Sequence, residues 1–198
     1  KKPHPRGINI MPQTILTDQV TSHETSGTKH HPPFKADKAI EKEADASIDH
    51  YPAQQRRSAV LPLLHIVQSR FGYISSDAIE WVAAKLDLEP IKVAEVVTFY
   101  PGLRQHAPGK YHIRVCRTLS CAMGGSYELM DRICELAGID RSQTSHHNPV
   151  AVSPCGTWSV EFAECLASCG SAPVCLVNDD FHEDLPAEKA SDLLQAYK

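Results

Sequence analysis

The sequence predicts a chain of mixed α+β or α/β class, in which a helical bundle is followed by a small domain built on a sheet. Two observations predict it. Apolar residues recur at helical spacing up to about residue 103, and short alternating segments around one amphipathic helix follow from residue 110. We expect a flexible polar tail at residues 1–34, a helical domain at 35–107 and a second domain at 108–198.

Four helices are predicted in the first domain. The first covers residues 36–50, and the second carries the apolar run that ends just before Gly72, a residue suited to a left-handed C-cap. The third is expected to begin near Asp77, and Pro90 is well placed to open the fourth at its first position. His65 falls within the apolar run of the second helix, and we expect it to be a hydrogen-bonded core residue.

The second domain is predicted to have the order β-α-β-β-β-α. The segment KYHIRVC alternates like a strand, and SYELMDRICELAGI has the spacing of an amphipathic helix. Short strands are expected at PVAVS, WSVEFA and PVCLVND, followed by a closing helix at residues 186–197.

Composition excludes several classes of function. The formal net charge of −4 argues against nucleic acid as a partner, and no apolar run is long enough for a membrane span. The ten glycines form neither G-x-G-x-x-G nor a P-loop, so we expect no nucleotide site in this chain. The opening KKPHPRGINI lacks the apolar segment of a secretory signal, and the cysteine count of seven is odd, so we expect free thiols rather than a disulfide framework.

Four cysteines form two close pairs. Cys116 and Cys121 enclose CRTLSC, while Cys165 and Cys169 enclose CLASC. A [2Fe-2S] cluster needs four thiolates, two on each iron, and zinc is the alternative because its ligand spacing overlaps this one. Unrelated buried thiols are the third possibility. Three nearby glycines would let backbone N–H groups approach the sulfurs: Gly124, Gly125 and Gly170.

The remaining cysteines and one histidine pair have simpler interpretations. Cys134 lies on the apolar face of its helix and Cys175 inside a strand, so both are expected to pack in the core. Cys155 lies in a turn, and no role is predicted for it. The pair at residues 146–147 is expected to be surface loop rather than a Rieske-type ligand set.

Several motifs resemble one family. ECLASCGSAPVCLVND, CRTLSC followed by Gly124, AVLPLLHIVQSRFGYIS and VAEVVTFYP are similar to the thioredoxin-like [2Fe-2S] subunit in the NADH-oxidising module of respiratory complex I. The resemblance covers roughly residues 35–198. It implies a thioredoxin-like [2Fe-2S] ferredoxin domain after the helices, with the cluster held by Cys116, Cys121, Cys165 and Cys169 and with no catalytic residue in this chain.

The resemblance also implies partners and a location. A flavoprotein subunit would hold FMN and the NADH site, and further iron–sulfur subunits of NADH:quinone oxidoreductase would complete the complex. The chain would lie on the cytoplasmic or mitochondrial matrix side, peripheral to the membrane and not inserted in it. Related subunits occur in NAD-linked hydrogenases and formate dehydrogenases, so an equivalent diaphorase subunit is the alternative function.

The sequence departs from the family pattern at a few positions. Ala167 stands where the family usually has Gly, Cys155 where it usually has Asp, and Trp158 where Phe is common. The stretch between the two cysteine pairs is longer than usual, with the extra residues around 143–154.

Two further classes are disfavoured by the residues themselves. A redox-sensing DNA-binding protein could use IEWVAAKLDLEPIKVAEVVTFY as a helix-turn-helix, but the second helix offers mainly Lys92 and Glu95 and lacks the Arg, Asn and Gln that read bases. A thioredoxin-type dithiol enzyme needs C-x-x-C, which this sequence lacks.

Overall fold

The computed structural model describes residues 33–142, 144 and 148–197. Within these residues, four α-helices form the first part of the molecule, with a 3₁₀ helix at Ala53–Ala59 between the first two. Their bounds are α1 Lys38–Asp49, α2 Val60–Phe71, α3 Ser76–Leu86 and α4 Pro90–Phe99.

Local signals set the ends of these helices. The Asp37 carboxylate accepts hydrogen bonds from two N–H groups in the first turn of α1. Gly72 closes α2 with a φ of 81°, and Pro90 opens α4 as predicted. The predicted start of α3 shifts slightly, because Ser75 is the residue that caps it and Asp77 lies in the first turn.

The apolar stripes of the four helices enclose one core. Its fully buried members include Leu63, Leu64 and Val67 on α2, and Phe34 packs at its edge with its ring 5.2 Å from that of Phe71. The prediction for His65 is wrong, because it is exposed: it lies about 160° around the helix from Val67 and therefore points away from the core. Of the predicted tail at 1–34, residues 1–32 lie outside the described residues.

A mixed sheet forms the second part, and it confirms the predicted fold class. The described strands are β1 Tyr111–Cys116, β2 Ala151–Val152, β3 Trp158–Ala163, β4 Cys175–Val177 and β5 Asp180–His182, in the spatial order β2-β3-β1-β4-β5. Only β1 and β3 run parallel; the other neighbours are antiparallel. The helices are α5 Leu119–Met123, α6 Ser126–Ala137 and α7 Ala190–Gln195.

Two elements here were not predicted. The short helix α5 lies between the first two cysteines, and β5 forms a hairpin with β4 through a turn in which Asn178 has a φ of 55°. Asn tolerates this left-handed conformation better than most residues, which explains why the chain reverses there.

The two faces of the sheet differ in chemistry. Ile113 and Val115 of β1 point into a core that they share with α6 and α7. On the opposite face, His112 and Arg114 lie beside their β3 partners, Ser159 and Glu161. The segment that leaves α4 lines a groove with this polar face, so charged and polar groups of the sheet face the helical part. Among the described residues, no helix combines the length and hydropathy that a membrane span requires.

Candidate metal centre

Parallel pairing of β1 and β3 brings the two cysteine segments to one edge of the sheet. Cys116 ends β1 directly opposite Ala163, the last residue of β3, and Cys165 follows two residues later. The Arg117 N–H donates to the Ala163 carbonyl over 3.0 Å, and the Arg117 and Glu164 side chains form an ion pair across the gap. The first cysteine of each pair therefore leaves the sheet at the same edge.

The first pair is brought together by α5. Thr118 precedes this helix and Cys121 lies within it, so that the chain turns back and brings the Cys121 thiol close enough to the Cys116 sulfur for each to shift the pKa of the other. Both side chains are almost fully buried, at 2% and 1% exposure, in a small cluster with Val174.

The second pair is more open. Cys165 and Cys169 are exposed, and Cys169 begins a 3₁₀ turn that contacts α5. Cys169 is near enough to Cys121 for their charges to interact. Cys165 accepts the Ala167 N–H over 3.4 Å, and no three His, Cys, Asp or Glu side chains among the described residues are gathered into a group around one metal ion. The structure thus buries Cys116 and Cys121 in one cluster, with Cys169 close enough to Cys121 to act on its charge and Cys165 exposed on the neighbouring segment.

The buried pair shares its protons unequally. Burial raises the pKa of Cys116, but hydrogen bonds from the Thr118 hydroxyl and from the N–H groups of Thr118 and Leu166, together with the Cys121 thiol, lower it overall. Burial and the hydrogen bond to Cys116 raise the pKa of Cys121, whereas a hydrogen bond from the Val174 N–H lowers it by less. N–H donors favour the thiolate form of both sulfurs, and the thiolate is the form of cysteine that binds a metal.

These N–H donors are the functional groups that sequence reasoning missed. The sulfurs are faced by the backbone N–H groups of Thr118, Leu166 and Val174. Gly124, one of the three predicted glycines, instead packs against backbone atoms, since a Cβ on it would lie 3.3 Å from the Ala172 carbonyl carbon. Gly124 therefore allows the two cysteine segments to pack closely, which is a different role from the predicted one. Thr118 was visible between the first two cysteines, but Leu166 and Val174 are defined only by the fold.

The departure at Ala167 has a conformational consequence. Its φ is 60°, the left-handed region where an L-residue is disfavoured by about 1–2 kcal/mol. The loop that imposes this conformation is tied by the Glu183 carboxylate, which accepts hydrogen bonds from the hydroxyls of Ser168 and Ser171. The second cysteine loop is therefore held in place by polar contacts that oppose the strain at Ala167.

The remaining cysteines lie apart from this edge. Cys134 and Cys175 are buried, as predicted, and burial raises the pKa of Cys175 to about 12. Cys155 lies in the turn before β3, at the opposite end of that strand, and hydrogen bonds with the Ser153 and Thr157 hydroxyls lower its pKa to about 7. The predicted surface loop at residues 146–147 lies outside the described residues.

The donor set fits an iron–sulfur cluster. Four cysteine sulfurs on two segments match the two thiolates that each iron of a [2Fe-2S] cluster takes, and N–H groups directed at the sulfurs are typical of such sites. The assignment of the four individual ligands stays a prediction.

Two related proteins are similar in sequence over most of the chain. One of them, an NADH-quinone oxidoreductase subunit of Rickettsia felis, is 38% identical over 166 residues, which is 83% of this chain and 94% of that protein. Another, an NADH-quinone oxidoreductase subunit of Thermus thermophilus, is 42% identical over 130 residues, 66% of this chain and 67% of that protein.

A solved structure and a family model agree on the fold. The crystal structure of an NAD⁺-reducing [NiFe]-hydrogenase in the air-oxidised state matches 69% of this chain with a TM-score of 0.57 and 20% identity; the match spans only 22% of the hydrogenase chain. The model of the thioredoxin-like [2Fe-2S] ferredoxin family matches residues 44–198, which confirms the resemblance and the predicted type of cluster. The chain belongs to the thioredoxin-like [2Fe-2S] ferredoxin family.

Proposed function

We propose that this chain is an electron-transfer subunit of an NADH:quinone oxidoreductase and that Cys116, Cys121, Cys165 and Cys169 hold its single [2Fe-2S] cluster. The observation that carries the proposal is the meeting of the two cysteine segments at the carboxyl ends of β1 and β3, where Cys116 and Cys121 are buried in one cluster. The names of the relatives support the choice of complex.

The chain's own residues shape the environment of the cluster. A bound [2Fe-2S] cluster supplies a carrier that takes up and releases one electron. Leu166 and Val174 direct N–H groups at the sulfurs, and hydrogen bonds of this kind tune the reduction potential of a cluster. The ion pair of Arg117 with Glu164 places equal and opposite charges beside the ligands, so neither acts as an isolated charge on the site.

Partners are expected around the exposed side of the site. Leu119 and Met123 flank Cys121 on α5 and are 76% and 82% exposed, which is typical of a surface that another protein covers. We propose a flavoprotein subunit that holds FMN and oxidises NADH as that partner, with further iron–sulfur subunits beyond it. The chain would then lie peripheral to the membrane, on its cytoplasmic or matrix side.

The DNA-binding alternative is weakened by one contact. Lys92 is the cation that α4 offers for a phosphate or base, and its ammonium binds the Glu95 carboxylate on the same helix over 3.0 Å. A helix whose cation is paired with its own carboxylate, in a chain with a net charge of −4, is poorly suited to a DNA groove.

Metal analysis of the protein purified anaerobically tests the cofactor. We expect about two irons and two labile sulfides per chain and a spin-half signal after reduction. Replacement of any one of the four proposed ligands with Ala should remove the cluster, because an iron then loses a thiolate. A colourless protein that contains one zinc and no sulfide would contradict the proposal.

Three other cysteines provide matched controls. Cys134→Ala and Cys175→Ala should keep the cluster and lower stability by roughly 1 kcal/mol, since each removes one buried sulfur. Cys155→Ser should change neither. The ligand assignment fails if Cys155→Ser loses the cluster while a variant at one of the four proposed ligands retains it.

A further inference from the structure

A groove of about 830 Å³ runs between the end of the helical part and the cysteine-bearing edge of the sheet. One wall is the segment from Val97 to His106, and the other includes β3 and the residues as far as Leu166. Four arginines and two glutamates line it: Arg104, Arg114, Arg117, Arg141, Glu161 and Glu164.

Two of the arginines are already paired with carboxylates. Arg117 is paired with Glu164. Arg141 contacts the Asp131 carboxylate over 3.3 Å, and its guanidinium lies 4.7 Å from the centre of the Phe162 ring. These two charges are balanced by groups of the chain itself.

The other two arginines, Arg104 and Arg114, form no ion pair among the described residues, and the Nε of Arg104 donates to the uncharged Gly72 carbonyl over 3.1 Å. Burial lowers the pKa of Arg104 most, and the positive charge of Arg114 lowers it further. The negative charges of Glu161 and of the exposed Asp179 raise it, but by less. Arg114 faces Glu161 across the strand pair, and its Nε is buried without a hydrogen-bond partner among the described residues. A partly buried guanidinium charge without an ion-pair partner is costly, so this geometry favours an additional anion in the groove.

Glu161 carries one negative charge, so it cannot balance the positive charges of both arginines. His112, which lies beside Glu161, is neutral and adds no further positive charge. The Glu161 carboxylate can only accept, which places a proton on the facing nitrogen of His112 and leaves Nδ1 of the neutral ring to accept from the Ser159 hydroxyl over 2.8 Å; the Ser159 oxygen also accepts the Gly109 N–H over 2.8 Å. The ring then carries its proton on Nε2 and donates it to Glu161 over 3.0 Å. Burial lowers the pKa of His112, which is consistent with this neutral form. Of the two carboxylates that act on Arg104, only Glu161 lines this groove, so its single charge faces two guanidinium groups there.

We propose that this groove receives a carboxylate from an acidic segment of the flavoprotein partner, which pairs with Arg104 and Arg114. The inference rests on the proposed function, and it names the surface and the chemistry of the contact. Arginine binds carboxylates through two parallel hydrogen bonds, and both Arg104 and Arg114 line the groove.

The border of the groove favours a protein over a small anion. Tyr100 lines the groove. Phe99 beside it is 75% exposed, and the two rings pack edge-to-face with their centres 5.0 Å apart. Aromatic residues next to arginine are typical of the energetically important centre of protein interfaces. The other end of the groove reaches Cys165 and Leu166, so a segment bound here ends beside the proposed cluster.

Affinity measurements between the full-length, cluster-loaded chain and the flavoprotein subunit test the inference. Arg114→Gln and Arg104→Gln should each weaken binding at least tenfold, and each should reduce the dependence of affinity on salt. The matched control is Arg132→Gln, because Arg132 lies outside the groove on α6, paired with Glu135. We expect the control to bind like the unmodified chain, and visible absorbance of the cluster to report correct folding.

Several outcomes would overturn the inference. Unchanged affinity of both groove variants with an intact cluster refutes it. If either variant loses its cluster, Tyr100→Ala decides, since that exposed ring borders the groove: a tenfold loss supports docking there, and unchanged affinity contradicts it. Inorganic phosphate that binds through Arg114 without displacing the flavoprotein would also refute it. An unmodified chain that holds no cluster, or that binds no flavoprotein, refutes the proposed function instead.

Discussion

Replacement of Ala167 with Gly should stabilise the protein, which is the reverse of the usual effect of glycine. Ala167 has a φ of 60° between two proposed ligands. An L-residue there costs about 1–2 kcal/mol, whereas glycine adopts the conformation freely. Glycine also loses about 0.5–1 kcal/mol more conformational entropy on folding. Because Ala167 is exposed, its methyl contributes little burial, and the balance is a gain of roughly 0.5–1 kcal/mol.

Thermal unfolding under anaerobic conditions measures this gain. For a chain of this size, about 1 kcal/mol shifts the midpoint by roughly 2–4 °C, so Ala167→Gly should raise it by about 1–4 °C at a fixed scan rate. The matched control is Ala172→Gly in the same segment, where φ is −67° and glycine relieves no strain. The control should lower the midpoint. The reasoning is refuted if both variants lower it equally.

Two further predictions concern the surroundings of the site. Two of its neighbours lower the pKa of Cys155 to about 7, so alkylation of this thiol should reach half its maximal rate near pH 7. Thr157→Val should move that midpoint upward, because it removes one of the two hydroxyls. A midpoint already at pH 9 in the unmodified protein would contradict the lowered pKa. Gly124→Ala should lower the iron bound per chain, because the added Cβ would lie 3.3 Å from the backbone nitrogen of Pro173. Gly102→Ala, where an added Cβ has no atom within 4 Å, should bind iron normally. Equal iron in both variants would contradict the argument that Gly124 is needed for close packing.

Local signals in the sequence predicted most of the helices and the cysteine pairs. Gly72 and Pro90 act through the conformations of their own backbones, so their positions could be read without knowing the fold. His65 was misplaced because an apolar run identifies a helix but does not by itself show which narrow stripe faces the core. The helix α5 is only five residues long, too short for a periodic pattern.

Contacts between distant residues could not be predicted from the sequence. The N–H of Val174 reaches Cys121 only because β4 pairs with β1, more than fifty residues away in the chain. Arg104 and Arg114 become neighbours through the packing of the helical part against the sheet. The sequence reveals ligands that come in short motifs, but not the second layer of groups that the fold assembles around them.

The strand β1 links the groove to the cysteine edge. Arg114 and Cys116 are two residues apart on it and share a face, so the strand holds their backbones about 7 Å from each other. β1 lies between β3 and β4 in the sheet, and a strand bonded on both sides cannot stretch or slide without breaking its hydrogen bonds. A partner that binds Arg114, as proposed, would therefore be held at a fixed distance from the proposed ligand Cys116.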